Sequence, residues 1–212
     1  QLYELDAYAQ DPSSEQLQPI ISLFTQGQLR QAVSDVNEML ETFPHSAILY
    51  NISGASNAGL MQFDSAVDSY KKALKVKPDF AEVHNNMGNA LKAKGDLDAA
   101  IYCFKQALNI KPDYAVAYNN MGIVLADNGD LDAAIDSYNK AIKIKPDYHR
   151  AYYHLGLLLF ESKQYEKAAE NFKLSDVDKS KYHLLRCLFL QDKQTLFYDQ
   201  LDCLIYQGDV HP

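Results

Sequence analysis

The feature that most constrains this chain is its period. AEVHNNMGNALKAKGDLDAAIYCFKQALNIKPDY (81–114) runs without insertion into AVAYNNMGIVLADNGDLDAAIDSYNKAIKIKPDY (115–148), two units of 34 residues each. Stepping by the same interval gives 47–80, 149–182 and a weaker unit at 13–46. A period of this length means one supersecondary unit built several times, each needing its neighbours to cover an apolar face. With slots counted from the first residue of each unit, slot 8 holds Gly54, Gly88, Gly122 and Gly156, and slot 20 holds Ala32, Ala66, Ala100, Ala134 and Ala168. Slot 24 is Val36, Tyr70, Phe104, Tyr138 and Phe172; slot 32 is Pro44, Pro78, Pro112 and Pro146.

Within a unit the apolar spacing is helical. Val83, Met87, Ala90 and Leu91 share one face of a first helix; Leu97, Ala100, Ile101, Phe104, Ala107 and Leu108 share one face of a second. Gly95 suits the positive φ that ends the first helix, and Asp96 is placed to cap the second. Pro112 ends that helix, Asp113 is expected to cap the next, and Asp79 with Glu82 has capping-box spacing. In the first unit Pro19 stands where a helix would be under way, so that helix either starts at Pro19 or kinks there.

These slots resemble the W-x2-L-G-x2-Y…A-x3-F…P pattern of the tetratricopeptide repeat family over about four-fifths of the chain. The resemblance implies an all-α fold, a right-handed α-α superhelix of antiparallel helix pairs. It divides the chain into an N-terminal extension (1–12), five repeats (13–46 degenerate, 47–80, 81–114, 115–148 and 149–182) and two C-terminal helices in 183–212, near 181–191 and 194–206.

In that family the first helices line a concave surface through slots 2, 5, 6, 9, 12 and 13, and the function it implies is protein–protein interaction. The candidate partner-binding residues carried over are Asn51, Asn85, Asn86, Asn89, Asn119, Asn120, Arg150, Tyr153 and His154, with Ala55, Ala58 and Gly59 among the small ones. Asn86 and Asn120 share slot 6, with His154 next in line. A carboxamide both donates and accepts, so a row of them can grip a peptide main chain with little reading of its side chains. The row is similar to the asparagines in the tetratricopeptide region of the sugar transferases that modify serine and threonine. The other reading, ordinary repeat composition that satisfies local polar groups, stays open. A carboxylate clamp is disfavoured, since its slots hold Asn51, Ala55, Asn86, Val116 and Asn120 and lack the cations it needs.

Charge and composition remove other classes. Residues 1–46 carry seven acids and one base, which leaves only −2 of the −8 net charge for the rest, so no basic face for nucleic acid is expected. No run of about 18 apolar residues points to a membrane. Three separated cysteines, Cys103, Cys187 and Cys203, fit free thiols and a cytoplasmic setting. Most of the 15 tyrosines fall in packing slots. His149, His154 and His183 share no metal-binding spacing, and no nucleophile motif or phosphate loop can be assembled, so no cofactor, no metal and no enzyme activity are expected. Leu184, Leu185, Leu188, Phe197, Leu201 and Ile205 exceed what a polar end cap needs. This apolar tail raises self-association through Leu184–Ile205. Together with the abrupt end at His211-Pro212, it also raises the reading of a recruiting module from a larger bacterial transferase or oxygenase.

Overall fold

The computed structural model describes residues 11–191 and Leu201. The described residues form helices and no strands: α1 (Ser14–Thr25), α2 (Leu29–Thr42), α3 (Ala47–Gly59), α4 (Phe63–Val76), α5 (Ala81–Ala93), α6 (Leu97–Ile110), α7 (Ala115–Asp127), α8 (Leu131–Ile144), α9 (His149–Glu161), α10 (Tyr165–Lys173) and α11 (Asp178–Leu190). The helix expected near 194–206 lies outside the described residues. The chain forms two compact units, Gln1–Pro112 with α1 to α6 and Asp113–Pro212 with α7 to α11.

The hairpin turns follow from one backbone position. Slot 15 takes a left-handed conformation in all five units: Gly27 (φ +74°), Met61 (+59°), Gly95 (+85°), Gly129 (+87°) and Lys163 (+60°). The N–H of the residue after each turn returns to the preceding helix, as Asp96 N–H does to the Leu91 carbonyl at 3.0 Å. Glycine adopts this φ without a Cβ clash, so Met61 and Lys163 hold the same turn under strain.

The hairpins close on a glycine and a ring. A Cβ built on Gly88 would sit 2.8 Å from the Phe104 ring, and on Gly122 2.7 Å from the Tyr138 ring; Gly54 meets Tyr70 and Gly156 meets Phe172 in the same way. Only a residue without a side chain lets the two helices approach that closely. The rings are almost fully buried, as is Ala at slot 20. In the first unit Leu17, Ile20, Ala32, Val36 and Leu49 join α1, α2 and α3 in one apolar cluster, and Ala66, Val67, Tyr70, Ala73, Val83 and Ala90 join α4 to α5 in another.

The helix starts differ from expectation at several points. α1 begins at Ser14, capped by Ser13 in a full capping box with Gln16, and Pro19 lies inside the helix. Asp96 caps α6 through the Ala99 N–H at 3.2 Å. Asp113 and Asp79 do not cap: the cap positions of α7 and α5 are Tyr114 and Phe80, neither with a side-chain bond. The aspartates stand one residue too early, because the slot-34 ring itself occupies the cap. Ser46, at the same slot, does cap, accepting from the Leu49 N–H at 3.2 Å while donating to Asp11 at 2.6 Å. That bond ties the N-terminal extension to α3.

Candidate functional site

In the first unit, Asn51 sits on α3 and Asn85, Asn86 and Asn89 on α5. Asn85 Nδ2 donates to Asn86 Oδ1 at 3.3 Å, and Asn86 Nδ2 donates to Asn51 Oδ1 at 3.2 Å. Three carboxamides thus form one directed chain linking two repeats. Asn85 is buried, Asn51 and Asn86 are half-buried, and Asn89 is exposed. Asn85 therefore anchors the chain from beneath and is not itself a contact surface. Asn51 and Asn86 keep unspent N–H groups among the described residues, since each carboxamide nitrogen carries two.

In the second unit, α7 repeats the first link: Asn119 is buried and donates to Asn120 Oδ1 at 3.5 Å, with Asn120 half-buried. On α9, Arg150 is exposed, while Tyr153 and His154 belong to a cluster of rings. His154 stacks on Tyr138 with centroids 6.0 Å apart, and Tyr153 meets His154, Phe172 and His183 at 5.6, 6.1 and 6.0 Å. Phe160 turns onto α11, 6.1 Å from His183, and carries the Arg186 guanidinium over its ring at 4.8 Å. Its role is to seat α11.

Gly59 was expected on the concave surface. It is exposed, and an added Cβ would lie 2.5 Å from one methyl of the Leu29 side chain of α2. Leu184, Leu185 and Leu188 are buried; what α11 leaves exposed is Tyr182, Phe189 and Leu190.

Three arrangements escaped the sequence reading. In α3, Ser53, Ser56 and Asn57 replace the Met or Leu, Ala, Val or Leu, and Leu of later repeats, yet all three are buried. Asn57 Nδ2 donates to the Ser53 carbonyl at 2.9 Å, Ser53 and Ser69 hydroxyls lie 3.2 Å apart, and Ser56 Oγ has no partner among the described residues. The departure from the repeat pattern was the available signal. Second, the slot-4 residues brace the loop before them: Tyr50 Oη donates to the Pro44 carbonyl at 3.1 Å, and His84 Nε2 bonds the Pro78 carbonyl at 3.0 Å. A carbonyl only accepts, so His84 carries its proton on Nε2. Third, the rings around His183 depend on how α11 docks, which no local pattern encodes.

Burial sets the titrations. It pushes the Cys103 and Cys187 thiols up to about 11, and raises the Tyr70 and Tyr138 phenols well above their usual value. The Asp64 carboxylate raises Lys94, which it bonds across two hairpins. Burial, then the Arg186 and Lys179 charges, lower His183. Among the described residues no three His, Cys, Asp or Glu side chains come together as a metal site, and no helix is long and apolar enough to cross a membrane.

Comparison with known proteins follows the same lines. The family model described as TPR repeat matches residues 62–95, 88–129 and 124–163. The chain is similar to the crystal structure of MamA, with 25% identity, TM-score 0.65, and coverage of 82% of this chain and 95% of that one. It is similar in fold to PilF of Pseudomonas aeruginosa, at 19% identity and TM-score 0.78, covering 92% and 91%. It is also similar in fold to YrrB, described as a TPR protein with an unusual peptide-binding site, at 18% identity and TM-score 0.60, covering 90% and 92%. No curated protein sequence matches it significantly. Period, glycine-on-ring hairpins, all-helical solenoid fold and family model agree that residues 62–163 of this chain are tetratricopeptide repeats.

Proposed function

We propose that this chain is an interaction scaffold that holds an extended segment of a partner protein against its first helices, gripping the partner's main chain through carboxamides. The observation that carries the reading is the directed Asn85–Asn86–Asn51 chain. Its internal bonds hold the amide planes in place, and the N–H groups of Asn51 and Asn86 suit peptide carbonyls. Asn89, Asn120 and the exposed Arg150 extend the offered surface within their own units. The resemblance to YrrB, whose description names a peptide-binding site, supports a peptide as the ligand class. No catalytic step is part of the proposal. Cys103 and Cys187 are buried and held protonated, and their free thiols fit a cytoplasmic setting.

The test is selection of peptides from a random displayed library on the full chain, followed by affinities for the Asn86→Ala/Asn120→Ala variant. Two lost hydrogen bonds at roughly 1 kcal/mol each predict binding weaker by about tenfold or more; because Asn86 and Asn120 also accept from the buried Asn85 and Asn119, affinities are compared well below the variant's own melting temperature. Unaltered affinity removes the carboxamides from the site, and failure to select any peptide removes peptide capture. A second reading, pairing of two copies, is favoured by Tyr182, Phe189 and Leu190, exposed at 60%, 64% and 47% on α11. Sedimentation across a concentration series that finds only monomer sinks it.

A further inference from the structure

Helix α11 is held to the α9–α10 hairpin around one titratable ring. His183 stacks on Phe172 of α10 with centroids 5.2 Å apart and planes 20° from parallel. Tyr153 and Phe160 of α9 meet it edge-on at 6.0 and 6.1 Å, and Tyr182 beside it does so at 5.4 Å. Its Nδ1 is buried and has no hydrogen-bond partner among the described residues. A neutral imidazole leaves that nitrogen as a bare acceptor. A protonated one must carry N–H on both nitrogens, so protonation creates a buried donor with nothing to receive it.

The surrounding charges act in the same direction. Arg186, fixed over the Phe160 and Tyr182 rings, and Lys179 are the charges that act on His183, and both are cationic. The other titratable neighbours among the described residues are phenols, Tyr153, Tyr182 and, behind Phe160, Tyr165. His154 lies behind Tyr153, while Glu161 at the end of α9 and Asp178 at the start of α11 are exposed. Stacking on Phe172 favours imidazolium and so works against the sign set by Nδ1 and the two cations, but a weak ring attraction is outweighed by an unreceived buried donor beside two like charges. We propose that His183 is an acid-sensitive latch: its protonation releases α11 from the α9–α10 hairpin and uncovers Phe172 on the hairpin and Leu184, Leu185 and Leu188 on α11.

A second histidine nearby pulls the other way and must be separated. His149 Nδ1 bonds the Leu174 carbonyl at 2.9 Å, and its Nε2 stands 3.8 Å from the Asp176 carboxylate. Protonating His149 tightens the loop before α11, so it cannot cause release.

The experiment is amide hydrogen exchange on the full 212-residue chain at pH 7.5 and 5.0, corrected for intrinsic rates, with α2, which holds no histidine, as the internal reference. Protection across α11 is expected to fall at least tenfold on acidification relative to that reference. In His183→Phe, which keeps the ring packing and cannot titrate, it should stay constant, and in His149→Gln the fall should persist. Should His183→Phe fail to fold, proton NMR of the native chain decides: the His183 ring must titrate below an ordinary histidine and together with the α11 amides. An acid response equal in His183→Phe, none in the native chain, or a ring titration uncoupled from α11 overturns the latch.

Discussion

At the scale of single residues, the repeat makes its own controls. Met61 and Lys163 adopt the left-handed turn that Gly27, Gly95 and Gly129 fill elsewhere. A side chain in that region costs about 1 kcal/mol. Met61→Gly and Lys163→Gly are therefore each expected to stabilise the fold by about that amount, measured as a raised urea midpoint at constant m. An unchanged or lowered midpoint would show that the side chains repay the strain through contacts. Ser56 is the complementary case. Its hydroxyl is buried without a partner, so Ser56→Ala should be neutral or stabilising, whereas Asn57→Ala removes the bond to the Ser53 carbonyl and should cost roughly 1 kcal/mol or more.

At the scale of elements, hairpin closure rests on a missing side chain. Gly122→Ala places a methyl carbon 2.7 Å from the Tyr138 ring, inside any normal contact. The ring is held between helices and cannot swing aside, so the helices must part, at about 1–3 kcal/mol. Thermal melting of the variant checks this, and a melting temperature within a degree of the native chain would refute rigid packing. Gly59→Ala should act likewise on the α2–α3 contact, where Leu29 is the obstructing group. Because Leu29 is flexible, the expected cost is smaller.

At the scale of the whole molecule, the buried acids predict an alkaline limit. Cys103, Cys187, Tyr70 and Tyr138 all titrate higher in the fold than in the open chain. The unfolded state thus loses its protons first, and the stability these groups contribute is full below about pH 8.5 and is lost as pH rises toward the folded values. Tyr70→Phe with Tyr138→Phe is tolerated by precedent within the chain, since Phe104 and Phe172 fill the same slot. The double variant is expected to melt like the native chain at pH 7 and to lose part of its sensitivity above pH 10. Equal sensitivity would place the alkaline effect elsewhere.

What the sequence determined by itself was everything that repeats. Slots 8, 15, 20 and 24 carry size and φ requirements that recur at a constant interval, so hairpin geometry, helix number through 182 and the family were legible without coordinates. Features that break the repeat, or depend on which face meets which, were not. Asp113 resembled a cap until Tyr114 took the cap position. The asparagines were visible as a row, but that Asn85 is a buried support while Asn51 accepts from Asn86 depends on how α3 meets α5. His183 was weighed only as a metal ligand, because its environment comes from helices α9 and α10, more than ten residues away along the chain. Local periodicity fixes which side of a helix is apolar; only tertiary packing decides which polar groups lose water and which partners they find there.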